Sequence, residues 1–424
     1  MKTCINPAPE QWAEWLKRPQ MESAEIRPRV QAILDDVRQN GDEALLRYAR
    51  ELDGAALTLL EVSTAEIDRA AASVAPELAA AIRQAAANIE AFHRAQAFPG
   101  IDVQVAEGVR CTQRSVPIQR VGLYVPGGSA PLFSTVLMLA IPARIAGCGE
   151  IVLCSPPNRE GQIADAILFA AQLCGVTRIV KAGGAQAIAA MAYGTASVPK
   201  TDKIFGPGNQ YVTVAKQLVS VSDAAIDMPA GPSEVMVLAD DSADPRFVAA
   251  DLLSQAEHGP DSQAILVTDS ADLAQAVENE VDRQLKNLSR ASLAEKSIEN
   301  SWIFVLRNRS ELVQMANLYA AEHLIISMRD AWDMAHEITA AGSVFIGNYT
   351  PESAGDYASG TNHTLPTNGW ATAYSGVNLD SFMRKITYQE ITREGLSKLG
   401  GVIETMALAE GLDAHANAVR VRLE

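Results

Sequence analysis

Eight short, nearly continuous apolar runs recur along the chain: EIVLCSPP, RIVKAGG, DKIFGPG, EVMVLAD, QAILVTD, SWIFVLR, HLIISM and SVFIGN. A strand apolar on both faces must be covered on both, so such runs separated by amphipathic helical stretches specify buried parallel sheet. Eight strands exceed what one small sheet usually holds. The expected fold class is therefore α/β, with two tandem Rossmann-like parallel-sheet domains and small helical pieces at both ends. The expected division is 1–23 as an N-terminal helical extension and 24–123 plus 235–377 as a first, discontinuous domain. Residues 124–234 form the second domain, and 378–424 a helical tail.

The first hundred residues read as mostly helical. IRPRVQAILDDVRQN carries Ile26, Val30, Ile33, Leu34 and Val37 at helical spacing, and DEALLRYAREL follows Gly41. Ser63 and Glu66 stand at capping-box spacing, and Pro76 opens the alanine-rich stretch that contains His93, a surface or packing residue. From Val103 to Tyr124 the pattern turns β-rich.

A formal charge of -16 would repel phosphate backbones, so nucleic acid is not an expected partner. No apolar run has the length of a membrane span and the first residues show no signal pattern, so a soluble, cytoplasmic protein with a small polar or cationic ligand is expected. Cys4, Cys111, Cys148, Cys154 and Cys174 form no C-x-x-C pair. The last three lie in apolar runs and read as core, with a catalytic thiol at Cys148 or Cys154 as the alternative.

Three glycine-rich turns follow strands: VGLYVPGGSAP, KAGGAQAIAA and IFGPGNQ. Each lets a backbone approach a phosphate, or simply closes a tight turn. None is G-x-G-x-x-G, and no acidic residue stands at the usual distance after one to take a ribose. In AADLLSQAEHGP a helix would place Gln255 and His258 on one face, three residues apart, just before Gly259 and Pro260. The helix dipole alone also favours a histidine there. YAAEHLIISM sets Glu322 beside His323 where a helix meets a strand, either as two proton acceptors or as a structural ion pair. The polar loop 351–367, PESAGDYASGTNHTLPT, offers Asp356 and His363, and the tail adds Glu410 and His415. Gln255, His258, Asp356 and His415 are residue types that zinc accepts. His336 reads as an exposed helix residue.

Taken together, GLYVPGGSAPLFSTVLMLAIPARIAGC, GGAQAIAAMAYGT, DKIFGPGN, DMPAGPSEV, LLSQAEHGPDSQ, AEHLI and AGSVFIGNYTPESAGDYASGTNHTLPT resemble the histidinol dehydrogenase family, in order and at similar intervals. The resemblance implies a homodimer whose C-terminal piece completes the partner's site. It implies zinc on Gln255, His258, Asp356 and His415, and NAD at Tyr124, Gln186 and Asn209. Substrate contacts carry over to Ser233, Gln255, His258, His323, Asp356, His363, Glu410 and His415. The implied reaction is the last step of histidine biosynthesis, oxidation of L-histidinol to L-histidine by two NAD through a bound aldehyde. His323 is then the base for the alcohol and Glu322 the base for the water. Ala321 departs from the family pattern, standing where a proline is usual. Two competing readings are a same-fold enzyme acting on another small alcohol and a zinc hydrolase using Glu322 without NAD. A catalytically silent binding protein would leave Glu322 and His323 without purpose.

Overall fold

Caps and glycines set the element boundaries. Ser63 and Glu66 form the reciprocal box their spacing predicts: the Ser63 hydroxyl accepts from the Glu66 amide at 3.3 Å, and the Glu66 carboxylate accepts from the Ser63 amide at 2.9 Å. Pro76 opens its helix, and left-handed Gly147 and Gly175 close two others. The structure, a computed structural model, describes residues 1–19, 23–127, 131–229 and 231–424. Residues 128–130 of the first glycine turn and Ala230 of DMPAGPSEV lie outside them.

The chain begins with β1 (Lys2–Ile5) and α1 (Trp12–Trp15), then α2 (Ser23–Asn40), α3 (Asp42–Leu52), α4 (Thr64–Ser73) and α5 (Pro76–Arg94). Next come β2 (Ile101–Ala106), β3 (Val109–Pro117), β4 (Arg120–Tyr124), α6 (Phe133–Ala146), β5 (Glu150–Ser155) and α7 (Asp165–Cys174). They are followed by β6 (Arg178–Lys181), α8 (Gly184–Tyr193), β7 (Lys203–Phe205), α9 (Gln210–Val219) and β8 (Ala225–Ile226). The second αβ series is β9 (Glu234–Ala239), α10 (Pro245–Ala256), β10 (Gln263–Thr268), α11 (Ala271–Leu285), α12 (Ala291–Glu299) and β11 (Trp302–Val305). It continues through α13 (Arg309–Tyr319), β12 (His323–Ser327), α14 (Ala331–Ala335), β13 (Ser343–Ile346) and α15 (Glu352–Tyr357). The tail is β14 (Met383–Ile391), α16 (Arg393–Ala409) and α17 (Asp413–Leu423).

All eight apolar runs are strands, and they form two parallel sheets. One has the order β6-β5-β4-β7-β8, the other β1-β11-β10-β9-β12-β13. Side chains alternate across β9: Val235 and Val237 pack with α10 and α11, while Met236 and Leu238 pack with α13. Burial on both faces explains why these runs carry no polar alternation.

The packing differs from the expected division in three places. The N-terminal piece holds a strand, β1, which extends the six-stranded sheet beside β11. Helices α2 and α3 pack on α8 and α9, and α4 and α5 pack on α6 and α7. Thus 24–94 joins the five-stranded sheet's unit rather than 235–377, because the apolar stripe of each helix packs on the helices that cover that sheet. The tail starts with a nine-residue strand, β14, paired antiparallel to β3 in a small sheet β14-β3-β2. No helix among the described residues is long and apolar enough to cross a membrane.

Candidate active site between two strand edges

The carboxyl edge of the five-stranded sheet carries the glycine turns. The Tyr124 hydroxyl, at the end of β4, accepts from the Gly184 amide at 3.1 Å where α8 begins. Gln186 sits in the first turn of α8, is 2% exposed, and has a side-chain oxygen with no partner among the described residues. Asn209 caps α9, its side chain accepting from the Val212 amide at 3.1 Å. Gly206 has φ +126°, and a Cβ there would stand 2.1 Å from the Tyr124 carbonyl oxygen, so the chain admits only glycine.

That turn is clamped from below. Lys216 donates to the Gly206 carbonyl at 2.9 Å, Asp227 accepts from the Gly206 amide at 2.8 Å, and the two side chains form a buried ion pair. Lys216→Met leaves Asp227 charged and buried without its partner. It is expected to cost about 3–5 kcal/mol, read from the urea midpoint of unfolding.

Tyr124, Gln186 and Asn209 line one cavity of about 780 Å³, closed on another side by Arg29, Leu52 and Asp53 and reaching His258 and Arg290. Ser233, Glu322 and His363 line a second, of about 410 Å³, which shares His258 and Asn209 with the first.

Facing these turns is the amino edge of the six-stranded sheet. His323 is the first residue of β12, in register with Val235 and Ser343 of its neighbours, and Glu322 immediately precedes it. The Ala321 and Glu322 carbonyls accept from the Gly342 and Ser343 amides, both at 2.9 Å, which fixes the backbone without a proline. Helix α10 ends at Ala256, so Gln255 lies in its last turn and His258 in the turn beyond. The expected shared helical face is therefore not formed. Gln255 is buried and His258 is exposed at the cavity rim. On α15, Glu352 and Asp356 stand four apart and face the same way. His258, Glu352 and Asp356 each present a ligand atom within 4.8 Å of the others.

Glu352 was not among the residues expected from sequence, because 351–367 reads as a loop. Its first residues form a helix, and the Glu-x-x-x-Asp spacing in PESAGD was the available signal. Buried at 0% exposure, the Glu352 carboxylate sits 3.8 Å from His323 Nδ1; Glu322 is 3.7 Å from the same nitrogen, and Asp356 is 3.4 Å from Nε2. Neither ring nitrogen is aligned for a hydrogen bond. Burial lowers the His323 pKa, but Glu352, Glu322 and Asp356 outweigh it and push it up to about 10. Burial raises Glu322 to about 8, and raises Glu352. Burial also works to raise Asp356, but His323 prevails and holds it below the ordinary carboxylate value.

The Gln255 amide oxygen and the Glu352 carboxylate touch, two acceptors with no donor between them. The conflict resolves in either of two ways. A cation shares both groups, or the amide turns over, donating to Glu352 and accepting from the Glu234 amide at 2.8 Å.

His363 is held by contacts of Nδ1 with the Asp356 carbonyl at 3.0 Å and Nε2 with the Thr135 hydroxyl at 3.3 Å. Glu410 and His415 are exposed on the α16/α17 hairpin and line neither cavity. Burial pushes the thiols of Cys148, Cys154 and Cys174 up to about 12, so they stay protonated and pack. His93 is buried and packed, its Nδ1 2.8 Å from the Ile89 carbonyl, and His336 is exposed just past α14.

The histidinol dehydrogenase family model matches residues 16–423. Histidinol dehydrogenase of Bacteroides fragilis is 60% identical over 424 residues, covering 100% of this chain and 99% of the relative. That of Escherichia coli K12 is 54% identical over 417 residues, covering 98% of this chain and 95% of its own length. The crystal structure of histidinol dehydrogenase from Elizabethkingia anophelis superimposes with a TM-score of 0.98 at 51% identity, covering 100% of this chain and 98% of that one. With a family model and full-length relatives agreeing along the whole sequence, this chain belongs to the histidinol dehydrogenase family.

Proposed function

We propose that this chain oxidises L-histidinol to L-histidine by four electrons, using zinc and two NAD, at the last step of histidine biosynthesis. The observation that carries the reading is the buried Glu322–His323 pair where two cavities meet at His258 and Asn209. One cavity has the volume and glycine lining for a dinucleotide; the other has room for a small substrate.

Both implied groups fit the residues present. The unpartnered oxygen of Gln186, with Tyr124 and Asn209, suits NAD. The nitrogen and oxygen donors of His258, Asp356 and Gln255 suit zinc, and His258, Glu352 and Asp356 present ligand atoms within 4.8 Å of one another. Bound zinc would act as a Lewis acid that grips the substrate's amine and imidazole, and NAD would accept the two hydrides.

The chain's own groups then divide the proton chemistry. In the first half-reaction the alcohol carbon loses a hydride and the hydroxyl loses its proton, which His323 takes. Its carboxylate neighbours favour the protonated imidazole. Their charge would be offset by a divalent cation held by His258, Gln255 and Asp356, which would free the imidazole to act as a base. In the second half-reaction Glu322 takes a proton from water as its oxygen adds to the aldehyde carbon, which then loses the second hydride. Per molecule, histidinol, water and two NAD give histidine, two NADH and protons. Ser233 and His363 line the pocket as further substrate contacts.

The same reading makes the protein a cytoplasmic homodimer in which Glu410 and His415 complete the partner's site. The hairpin that carries them packs on itself, and Gly395 rests on Gly108 of the β2–β3 turn. Val402, Met406, Leu408, Leu412 and Val421 on the hairpin, with Ile386, Tyr388 and Ile391 on β14, are apolar side chains left exposed, and a second copy would cover those of the hairpin. The deciding assay counts NADH: two per histidinol are expected, with faster turnover than on simple diols, and a preference for a diol would overturn the substrate. His258→Asn should lower bound zinc and raise the histidinol KM together; unchanged metal content would remove His258 from the ligand set.

A further inference from the structure

We propose that Asp53 receives the ribose hydroxyls of the adenosine half of the dinucleotide and selects against a 2′-phosphate. This rests on the reading of the larger cavity as the NAD site. The sequence places no acidic residue after a glycine turn to do this work; the fold brings one from the end of α3 instead. Asp53 lines the cavity with Tyr124 and Gln186, and its Oδ2 is buried with no hydrogen-bond partner among the described residues. Burial alone acts on it, pushing its pKa up to about 6, and no cation offsets its charge.

The layout of the strands says which half of the cofactor it meets. At one end of the cavity, beyond β7, the Gln210 amide reaches Asp261 at 3.4 Å, beside His258 and the Glu322–His323 pair. The nicotinamide must lie there, since hydride moves over only a few ångströms. Asp53 belongs to the opposite end: a Cβ on its neighbour Gly54 would lie 3.6 Å from Arg159, in the loop after β5, on the far side of β4 from β7. The adenosine is therefore the half that reaches Asp53. A carboxylate there can accept from both ribose hydroxyls, whereas a phosphate dianion beside it is repelled.

The test is calorimetric titration of the wild-type protein and Asp53→Asn with NAD and NADP, alongside melting curves. The variant should bind NAD about 10- to 100-fold more weakly and bind NADP better, so that the preference for NAD shrinks. Stability should move the other way. An acid whose folded pKa lies above its ordinary value of 3.8 costs stability as pH rises from 3.8 to about 6, and the full cost persists above that range. Asp53→Asn should thus melt higher than wild type at pH 8 and lose that gain below pH 4. No NAD binding by wild type would sink the reading of the cavity itself. NAD binding by wild type with both cofactors unchanged in the variant would overturn only the role of Asp53. So would equal weakening of both cofactors with a lower melting temperature, which marks a structural residue.

Discussion

Glu322→Gln is expected to lower aldehyde oxidation by about 10²- to 10⁴-fold while leaving alcohol oxidation within about tenfold of wild type. The two half-reactions ask for different proton acceptors, and only the second needs a water made nucleophilic. The geometry makes glutamine a clean probe. Glu322 accepts from the Glu234 amide at 3.0 Å, a bond that a glutamine oxygen can keep while the variant loses the ability to take a proton. Burial has already raised Glu322 to about 8, which sets a base strength useful near neutral pH. The check is to supply histidinol and histidinaldehyde separately and follow NADH. Wild-type rates on the aldehyde would remove Glu322 from the water step, and equal losses on both substrates would mean that it shapes the pocket for both.

Mixing two dead enzymes should restore activity. Glu322→Gln and His415→Ala are each expected to lose most turnover of histidinol through to histidine as pure homodimers, and histidine is the product to be counted. In a mixed dimer with exchanged tails, one site carries both defects and the other carries neither. Random reassortment of equal amounts should then recover about a quarter of wild-type activity, because half the dimers are mixed and each holds one intact site. If Glu410 and His415 served their own chain, every mixed dimer would be as dead as its parents. The hairpin's position favours exchange, since it stands away from this chain's cavities with its apolar side chains uncovered.

Much of this was legible in the residues because buried parallel strands leave a simple imprint. The eight apolar runs and the box at Ser63 act locally, within a few residues of where they are written. What escaped depended on contacts distant in the chain. α2 and α3 lie beside β9 or β4 with equal sense in a one-dimensional reading; only complementary packing against α8 and α9 decides. β14 looked helical in a helical neighbourhood, yet its pairing with β3 across more than two hundred and fifty residues prevails over local preference. The helix α10 stops two residues early, which moves His258 off the helix. Glu352 was hidden by the polar composition around it, which suggested a loop where one short helix forms. The Glu322–His323 pair could be singled out, but not its encirclement by carboxylates, which needs α15 folded back onto β12.

The two sheets meet with opposite edges across the crevice, and this has an electrical consequence. Helices α8 and α9 begin at the crevice, whereas α10 and α13 finish there. One wall thus shows the positive ends of peptide dipoles and the other their negative ends. A diphosphate and an ammonium, as the proposed substrates carry, would be sorted to opposite walls by the backbone before any side chain distinguished them. In the proposed reaction the hydride would leave a carbon on the negative wall for a ring on the positive one, so negative charge would move against the backbone's field, which is the direction in which that field drives it.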